Sequence, residues 1–182
     1  MRSSRATSSD RVSLRPVAWD AVRALVGGRR LDDWAPDYPD TGDLVVGRVL
    51  RVAGRAALER RAAPWVPYQV VERASGLVVG GIGFLRPPVG GRAEVGYGIV
   101  PSRRGIGVAT AALGLVLALA WADRSGTVTA VTARAEAANR ASQRVLEKGG
   151  FTLVEQAGVL VYEHRRPDGR GDPGTPPGRS PR

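Results

Sequence analysis

The chain has 182 residues, a length that suits one domain, and 43% of them are hydrophobic, enough to bury a substantial core. Cysteine is absent, which excludes a disulfide framework, a thiolate metal site and a cysteine nucleophile, and we expect no metal site. The net charge of +10 comes almost entirely from arginine, and coding bias explains it at least as well as an anionic partner does. The first ten residues contain no apolar signal segment, so we expect a cytoplasmic protein.

The two ends of the chain differ in composition from the rest. Residues 1–10 and 166–182 contain little that a core could bury, and the second segment consists largely of proline, glycine and arginine. We therefore predict two disordered tails around a single domain at 11–165.

The first part of this domain reads as one strand followed by helices. Residues 11–17 alternate like a short strand, and 18–28 have apolar residues at helical spacing before a glycine stop. A loop rich in aspartate and proline follows at 32–43. Residues 42–61 are predicted as a second helix, with Asp43 as the candidate N-cap.

The second part reads as strands interrupted by two helices. The segments 64–73 and 77–85 predict a hairpin, and 93–100 a third strand of the same sheet. A helix is predicted from Gly105 to Ala122. This run lacks charge, but its opening glycines and flanking strands favour a buried helix over a membrane span.

The last part continues the same alternation. A β-branched strand at 127–134 precedes a helix at 139–150, and a final hairpin ends the domain. The predicted order is β-α-α-β-β-β-α-β-α-β-β, an α/β domain with a mixed sheet.

A glycine-rich turn joins the third strand of this sheet to the next helix. Its backbone amides lie at a helix N-terminus and favour a phosphate ligand, helped by Arg103 and Arg104. A plain tight turn is the alternative. A Walker A loop would need Gly-Lys-Ser/Thr, which is missing, and a dinucleotide fingerprint fails because Thr110 replaces its third glycine.

Two segments together resemble the GNAT superfamily of acyl-CoA-dependent N-acetyltransferases. "RGIGVA" at 104–109 reads Arg-x-x-Gly-x-Ala, like the family's pyrophosphate loop, and "NRASQRVLEKGGF" at 139–151 resembles the helix after its fifth strand. The resemblance covers about 11–165. The serine at position 142 makes the segment most similar to the branch of the family that acetylates N-terminal alanines of ribosomal proteins. The implied fold is a mostly antiparallel sheet with splayed fourth and fifth strands, flanked by four helices.

The resemblance implies acetyl-CoA as the acetyl donor. The pantetheine arm would pair with the edge of the strand before the loop, the loop amides would hold the pyrophosphate, and a backbone N–H near Val100 would bind the thioester oxygen. Asn139 would contact the pantetheine or a water, with a plain N-cap as the alternative. The implied cofactor residues are Ile99, Val100, Arg104, Gly105, Ile106, Gly107, Val108, Ala109, Thr110 and Asn139.

The resemblance also implies direct attack of an amine on the thioester in a ternary complex. Glu94 is the expected base, directly or through water, and a strand-edge carboxylate paired with an arginine is the alternative. Many relatives have a tyrosine acid seven residues after the asparagine, where this chain has Leu146. Ser142 is therefore the expected acid, with Tyr97 and Tyr162 in reserve.

The acidic loop at 32–43 is expected to border the acceptor pocket. Its candidate acceptor-binding residues are Asp33, Trp34, Asp37 and Tyr38. A surface loop of turn-forming residues is the alternative. If the loop receives a cationic amine, replacing Asp33 and Asp37 by asparagine raises the acceptor KM and leaves acetyl-CoA binding intact.

Two other functions stay open at this point. One is a catalytically silent module that holds CoA or a partner, and the other is a basic nucleic-acid binder, including an acetyltransferase acting on charged tRNA. If Glu94 and Ser142 converge on the thioester, the enzyme is favoured. If RNA binding depends steeply on salt concentration, the nucleic-acid binder is favoured. The sequence favours neither a nucleic-acid nor a membrane partner, and we expect a monomer or homodimer.

Overall fold

The computed structural model describes residues 9–61, 63–123 and 127–167. They form a seven-stranded sheet in the order β1-β2-β3-β4-β5-β7-β6, in which only β4 and β5 are parallel. The strands are β1 Val12–Pro16, β2 Pro67–Glu72, β3 Val78–Phe84, β4 Arg92–Ile99, β5 Ala130–Glu136, β6 Thr152–Ala157 and β7 Val159–Arg165. The helices are α1 Trp19–Val26, α2 Thr41–Ala53, α3 Arg55–Glu59, α4 Val108–Ala122 and α5 Arg140–Lys148, with a 3-10 turn at Pro101–Arg103.

Helix α2 begins two residues before the predicted N-cap. Asp40 is the N-cap: its side chain accepts from the Thr41 N–H, while Asp43 accepts from the Asp40 N–H at 3.1 Å. The pair forms a capping box, so the prediction of Asp43 as N-cap was wrong by one helical turn. Gly54, at φ 85°, then breaks the predicted long helix into α2 and α3.

The helices cover both faces of the sheet. Helix α4 packs on β1, β3 and β4 and contacts α5, while α1 and α2 pack together with α2 over the other face of β3 and β4. Seven residues of α4 are buried, which explains its uncharged sequence. With fifteen residues α4 is short, and no helix in the described ranges is long and apolar enough to cross a membrane.

The sheet opens between β4 and β5. Their pairing runs only from Arg92–Ala130 to Val95–Ala133, and β4 continues beyond it to Ile99. Backbone N–H and C=O groups point to alternate sides along a strand. Those of Tyr97 and Ile99 therefore point into this gap, while those of Gly96 and Gly98 point towards β3. The splayed fourth and fifth strands predicted from the sequence are present.

The predicted order of elements is confirmed, with one helix more than expected. Five helices, not four, flank the sheet within the described residues, because Gly54 separates α3 from α2. Most of the two predicted tails lies outside the described residues.

Candidate active site

A glycine turn at the end of β4 leads into α4. Gly105 and Gly107 have φ of 78° and 87°, and a Cβ on either would meet open space. Positive φ favours glycine, and α4 starts at Val108 immediately after it. The first amides of a helix have no partner inside the helix, so this turn presents a set of N–H donors to the space beside it.

Side chains from the α1–α2 loop hold this turn in place. Arg104 donates from Nε to the Ile99 carbonyl at 2.7 Å and from Nη2 to Asp40 Oδ2 at 3.1 Å. Asp37 accepts from the Ser102 N–H and hydroxyl, both at 2.9 Å. The Ser102 N–H is the main reason that the pKa of Asp37 lies below its usual value.

A basic cavity of about 460 Å³ lies between the turn and α5. Its cationic lining residues are Arg103, Arg104, Arg144 and Lys148. Of the expected cofactor residues, it is lined by Ile99, Arg104, Gly105, Gly107, Val108, Ala109, Thr110 and Asn139. This set brings the turn, the open edge of β4 and the start of α5 together around one space.

Two expected cofactor residues lie outside that lining. Val100 is fully buried, and its N–H donates to the Val79 carbonyl at 3.0 Å. Ile106 is half-exposed, and its carbonyl accepts from Arg11. An oxyanion donor on this strand therefore has to come from a residue facing the gap, such as Ile99, rather than from Val100.

The first turn of α5 meets β4 through two hydroxyl groups. The Asn139 side chain caps α5 by accepting from the Ser142 N–H at 3.0 Å. The Ser142 and Tyr97 hydroxyls are 2.9 Å apart, and the Tyr97 hydroxyl also donates to the Ser142 carbonyl at 3.2 Å. Burial raises the pKa of Tyr97, so this phenol stays protonated at neutral pH.

A second cavity, of about 550 Å³, lies on the α2 side of β3 and β4. It shares Tyr97 and Gly98 with the basic cavity, so the two spaces meet at β4. Its floor is made of two cross-strand glycine pairs, Gly81 with Gly98 and Gly83 with Gly96. Glycine leaves no side chain on this floor, and at Gly83 the chain next to it is also close, since a Cβ there would come within 2.9 Å of the Pro67 backbone.

Asp43 and Tyr38 bring two polar side chains into this largely apolar space, which Arg61 and Tyr68 also line. Asp43 is only 8% exposed, and burial raises its pKa to about 7, partly offset by the Asp40 N–H and the neighbouring Tyr38 hydroxyl. Burial is also the main reason that the pKa of Tyr38 is raised. A Cβ on Gly81 would overlap Asp43 Oδ1, so glycine at this position makes room for the carboxylate.

Glu94 and Ser142 do not come together at either cavity. Glu94 lies on β4 in ion pairs with Arg134 at 3.2 Å and Arg86 at 3.6 Å, and it lines neither space. It shares a face of β4 with Gly96 and Gly98, because residues two apart on a strand point the same way. Tyr162, the other reserve acid, is buried in the core and lines neither cavity.

The four residues expected to bind the acceptor occupy different places. Tyr38 lines the apolar cavity. Asp33 pairs with Arg15 at 2.7 Å outside it, and Trp34 is buried in the core, edge-to-face with Tyr38. Asp37 binds Ser102, as described, and thus supports the glycine turn.

Sequence reasoning missed the glycine floor and Asp43. The signal was present as alternating glycines in two neighbouring strands, "GGIGF" at 80–84 and "VGYGI" at 95–99. Glycine at every second strand position removes side chains from one face only. Reading the two segments together would have predicted a hollow on that face.

No group of His, Cys, Asp or Glu that could hold a metal ion occurs among residues 9–61, 63–123 and 127–167. The geometry is that of two cavities that share Tyr97 and Gly98 of β4, with the Tyr97 hydroxyl bonded to Ser142 in the lining of the basic cavity.

Comparison with known proteins gives a family match over most of the chain. The model of the acetyltransferase (GNAT) domain matches residues 11–152. An uncharacterized N-acetyltransferase of Bacillus subtilis, YjdG, is 38% identical over 96 residues. That alignment covers 52% of this chain and 55% of the relative, so it spans about half of each protein.

Solved structures show the same fold at low sequence identity. RimL, a ribosomal L7/L12 alpha-N-protein acetyltransferase solved in complex with coenzyme A, is 22% identical with a TM-score of 0.62, covering 86% of this chain and 95% of that one. An acetyltransferase from Agrobacterium tumefaciens is 23% identical with a TM-score of 0.60, covering 87% and 93%. A ribosomal-protein-S5-alanine acetyltransferase from Vibrio fischeri is 15% identical with a TM-score of 0.56, covering 88% and 96%.

Proposed function

The chain belongs to the GNAT family of N-acetyltransferases, and we propose that it transfers an acetyl group directly from acetyl-CoA to a primary amine in a ternary complex. One observation carries this proposal. A basic cavity beside the glycine turn and an apolar cavity on the other face share Tyr97 and Gly98. Two substrates bound in these cavities would meet at β4.

The basic cavity fits coenzyme A. The amides around Gly107 and the start of α4 suit the pyrophosphate, and Arg144 and Lys148 on α5 add positive charge at its rim. The gap-facing backbone of Tyr97 and Ile99 suits an extended amide-bearing arm. When bound, acetyl-CoA supplies an acetyl group activated as a thioester.

The reaction makes a C–N bond and breaks a C–S bond. The amine nitrogen attacks the carbonyl carbon, the sulfur leaves as thiolate, and one proton must leave the nitrogen while another reaches the sulfur. Tyr97 and Ser142 both line the basic cavity, and their hydroxyls are 2.9 Å apart. We assign them the delivery of a proton to the thiolate, with Ser142 as the expected donor and Tyr97 as its partner.

This pair accounts for the departure noted at Leu146. Leu146 is fully buried and has no acid–base chemistry. A phenol comes instead from β4, through Tyr97, and contacts Ser142 in the first turn of α5, one turn before Leu146. The absence of cysteine from the chain rules out an acetyl-cysteine intermediate, which favours direct transfer.

Glu94, the base expected from the sequence, would act only at a distance. Its two arginine partners keep it beside the apolar cavity rather than in its lining. A role for Glu94 therefore requires water between it and the amine.

A thermal-shift titration tests cofactor binding first. Acetyl-CoA and CoA should raise the melting temperature, and NADH should not, because only a ligand of the native state stabilises it. Gly107→Glu should abolish the shift by placing a carboxylate among the phosphate-binding amides. Gly114→Glu is the matched control, since Gly114 is exposed on α4 and a Cβ there meets open space.

Turnover is then measured as release of free CoA thiol with a panel of amines. The chain has no cysteine, so the protein contributes no background to a thiol reagent. A shift with CoA but no thiol release with any amine would contradict the proposed activity and favour the silent binding module. No shift with either CoA species would contradict the cofactor assignment as well.

A further inference from the structure

We propose that Asp43 binds the ammonium group of the acceptor and takes its proton, and that the acceptor is an apolar primary amine carrying one positive charge. This inference rests on the acetyl transfer proposed above and identifies its acceptor side.

One oxygen of the Asp43 carboxylate caps α2, and the carboxylate also accepts from the Tyr38 hydroxyl beside the apolar cavity. Oδ2 accepts from the Asp40 N–H in the capping box. Oδ1 lies against the bare Cα of Gly81, on the floor of the apolar cavity. Capping of α2 requires only Oδ2. It does not explain why a glycine, Gly81, lies beneath Oδ1, or why a cavity lies beside the carboxylate.

The carboxylate also lies close to the junction of the two cavities. Gly81 is the cross-strand partner of Gly98, and Gly98 lines both spaces. Neighbouring strands are about 4.8 Å apart, so Asp43 lies roughly one strand spacing from the shared wall. An amine held there is within reach of a thioester beside Tyr97.

The remaining lining of the cavity selects for apolar acceptors. Val45, Val46 and Val49 of α2 form one wall, and Leu85, whose side chain lies over Gly96, contributes another. Among the residues that the structure describes, Asp43 and Arg61 are the charged ones in this lining, and Arg61 would repel a second cationic group. A polyamine would bury further charges without partners, which is costly. The volume of about 550 Å³ is typical of sites for small molecules.

The surroundings of Asp43 suit proton transfer. Burial and the nearby Asp40 raise its pKa, while the Tyr38 hydroxyl lowers it, to give a value of about 7. The other titratable residues lining the cavity are Arg61, Tyr68 of β2 and Tyr97 of β4. An ammonium proton passes to the Asp43 carboxylate, and the free amine attacks the thioester carbon as the C–S bond breaks. Ser142 gives its hydroxyl proton to the sulfur and regains one from the second nitrogen proton. Asp43 then releases its proton to solvent.

The test compares amines and variants in the thiol-release assay with the full chain. The acceptors are 2-phenylethylamine, spermidine and a tripeptide with an N-terminal alanine. We expect kcat/KM for 2-phenylethylamine to exceed that for spermidine by about tenfold or more, as expected when extra charges are desolvated. Preference for spermidine or the tripeptide would overturn the apolar acceptor while leaving acetyl transfer intact.

Asp43→Asn separates chemistry from capping, because an amide oxygen can still accept from the Asp40 N–H. We expect kcat/KM for 2-phenylethylamine to fall by about 100-fold or more, with loss of the rise near pH 7 and an unchanged thermal shift with acetyl-CoA. Asp20→Asn, on the exposed side of α1, is the matched control and should retain activity.

A second variant keeps the inference testable if Asp43→Asn folds poorly. Gly81→Ala leaves the carboxyl group in the chain but displaces Oδ1, and it should raise the KM for 2-phenylethylamine. The assignment is overturned if Asp43→Asn stays within threefold of the parent, or if Glu94→Gln removes the rise near pH 7 instead. Thiol release with none of the amines would overturn the acetyl transfer itself.

Discussion

The two cavities on either side of β4 differ in how their sequence builds them. The basic cavity is lined mainly by two local segments, 99–110 and 139–148, each of which is continuous in the chain. The apolar cavity is assembled from α2, β2, β3 and β4, with Val17, Leu25 and Arg61 from outside these elements. The basic cavity can therefore be recognised from local motifs in the sequence, whereas the apolar cavity can be recognised only in the three-dimensional structure.

The difference extends to electrostatics. Four cationic side chains line the basic cavity, whereas the apolar cavity contains one buried carboxylate and one arginine. A charged cofactor and an apolar amine thus have separate sites that meet at a single strand. The predictions below test whether each cavity can be damaged without the other.

The largest effect is expected where the cavities meet. Tyr97→Phe and Ser142→Ala should each lower kcat by about 100-fold, because general acid catalysis typically contributes that much or more. The double variant should be little worse than the worse single one, since the hydroxyls act as a pair. Steady-state kinetics with saturating acetyl-CoA measures this, and additive losses would contradict a shared role.

The next effect concerns stability at the acceptor site. Burial raises the pKa of Asp43 from 3.8 to about 7, so the folded protein loses stability as pH rises between these values. Asp43→Asn carries no such penalty. It should therefore melt higher than the parent at pH 8, by on the order of 2 kcal/mol or roughly 4–8 °C, and equally at pH 4. A lower melting temperature at pH 8 would show that the carboxylate is stabilising.

A matched pair of substitutions on α2 should change only the acceptor side. Val49 lines the apolar cavity and is 59% exposed, while Val52 lies outside the lining and is 89% exposed. Val49→Glu should raise the KM for 2-phenylethylamine about tenfold, because it places a charge in an apolar wall. Val52→Glu should leave it unchanged, and both variants should bind acetyl-CoA normally. Equal effects of the two would argue against this wall.

The smallest expected effect is a difference in acetyl-CoA binding between substitutions of Asp37 and Asp33, two aspartates of the same loop. Asp37 holds Ser102 at the glycine turn, whereas Asp33 pairs with Arg15 outside both cavities. Asp37→Asn should weaken acetyl-CoA binding a few-fold, of the order of one weakened hydrogen bond, and Asp33→Asn should be silent. This differs from the expectation drawn from the sequence, in which both substitutions raise the acceptor KM. Titration of each substrate distinguishes the two outcomes.

The sequence predictions were most accurate for features whose determining residues lie close together in the chain. The glycine turn and the Asn139 cap were recognisable because their determinants are a few residues apart. The start of α2 was misplaced because Asp40 and Asp43 both suit an N-cap, and only the capping box distinguishes them.

Features that depend on strand pairing were not predictable in the same way. The meeting of Tyr97 with Ser142 joins residues 45 positions apart, and the glycine floor requires the register of β3 against β4. Glu94 was expected near the acceptor because the family resemblance implies a glutamate at this strand position. Its two arginine partners come from other segments, Arg86 after β3 and Arg134 on β5.

The first turn of α2 connects the two ligand sites through one short piece of backbone. Asp40 bonds Arg104 of the glycine turn, and Asp43, joined to it in the capping box, faces the acceptor floor. If acetyl-CoA orders this turn and so raises the affinity for the acceptor, the acceptor must raise the affinity for acetyl-CoA by the same factor, because linkage between two binding sites is reciprocal. We therefore expect acceptor screens run in the presence of CoA to detect amines that screens of the protein alone would miss.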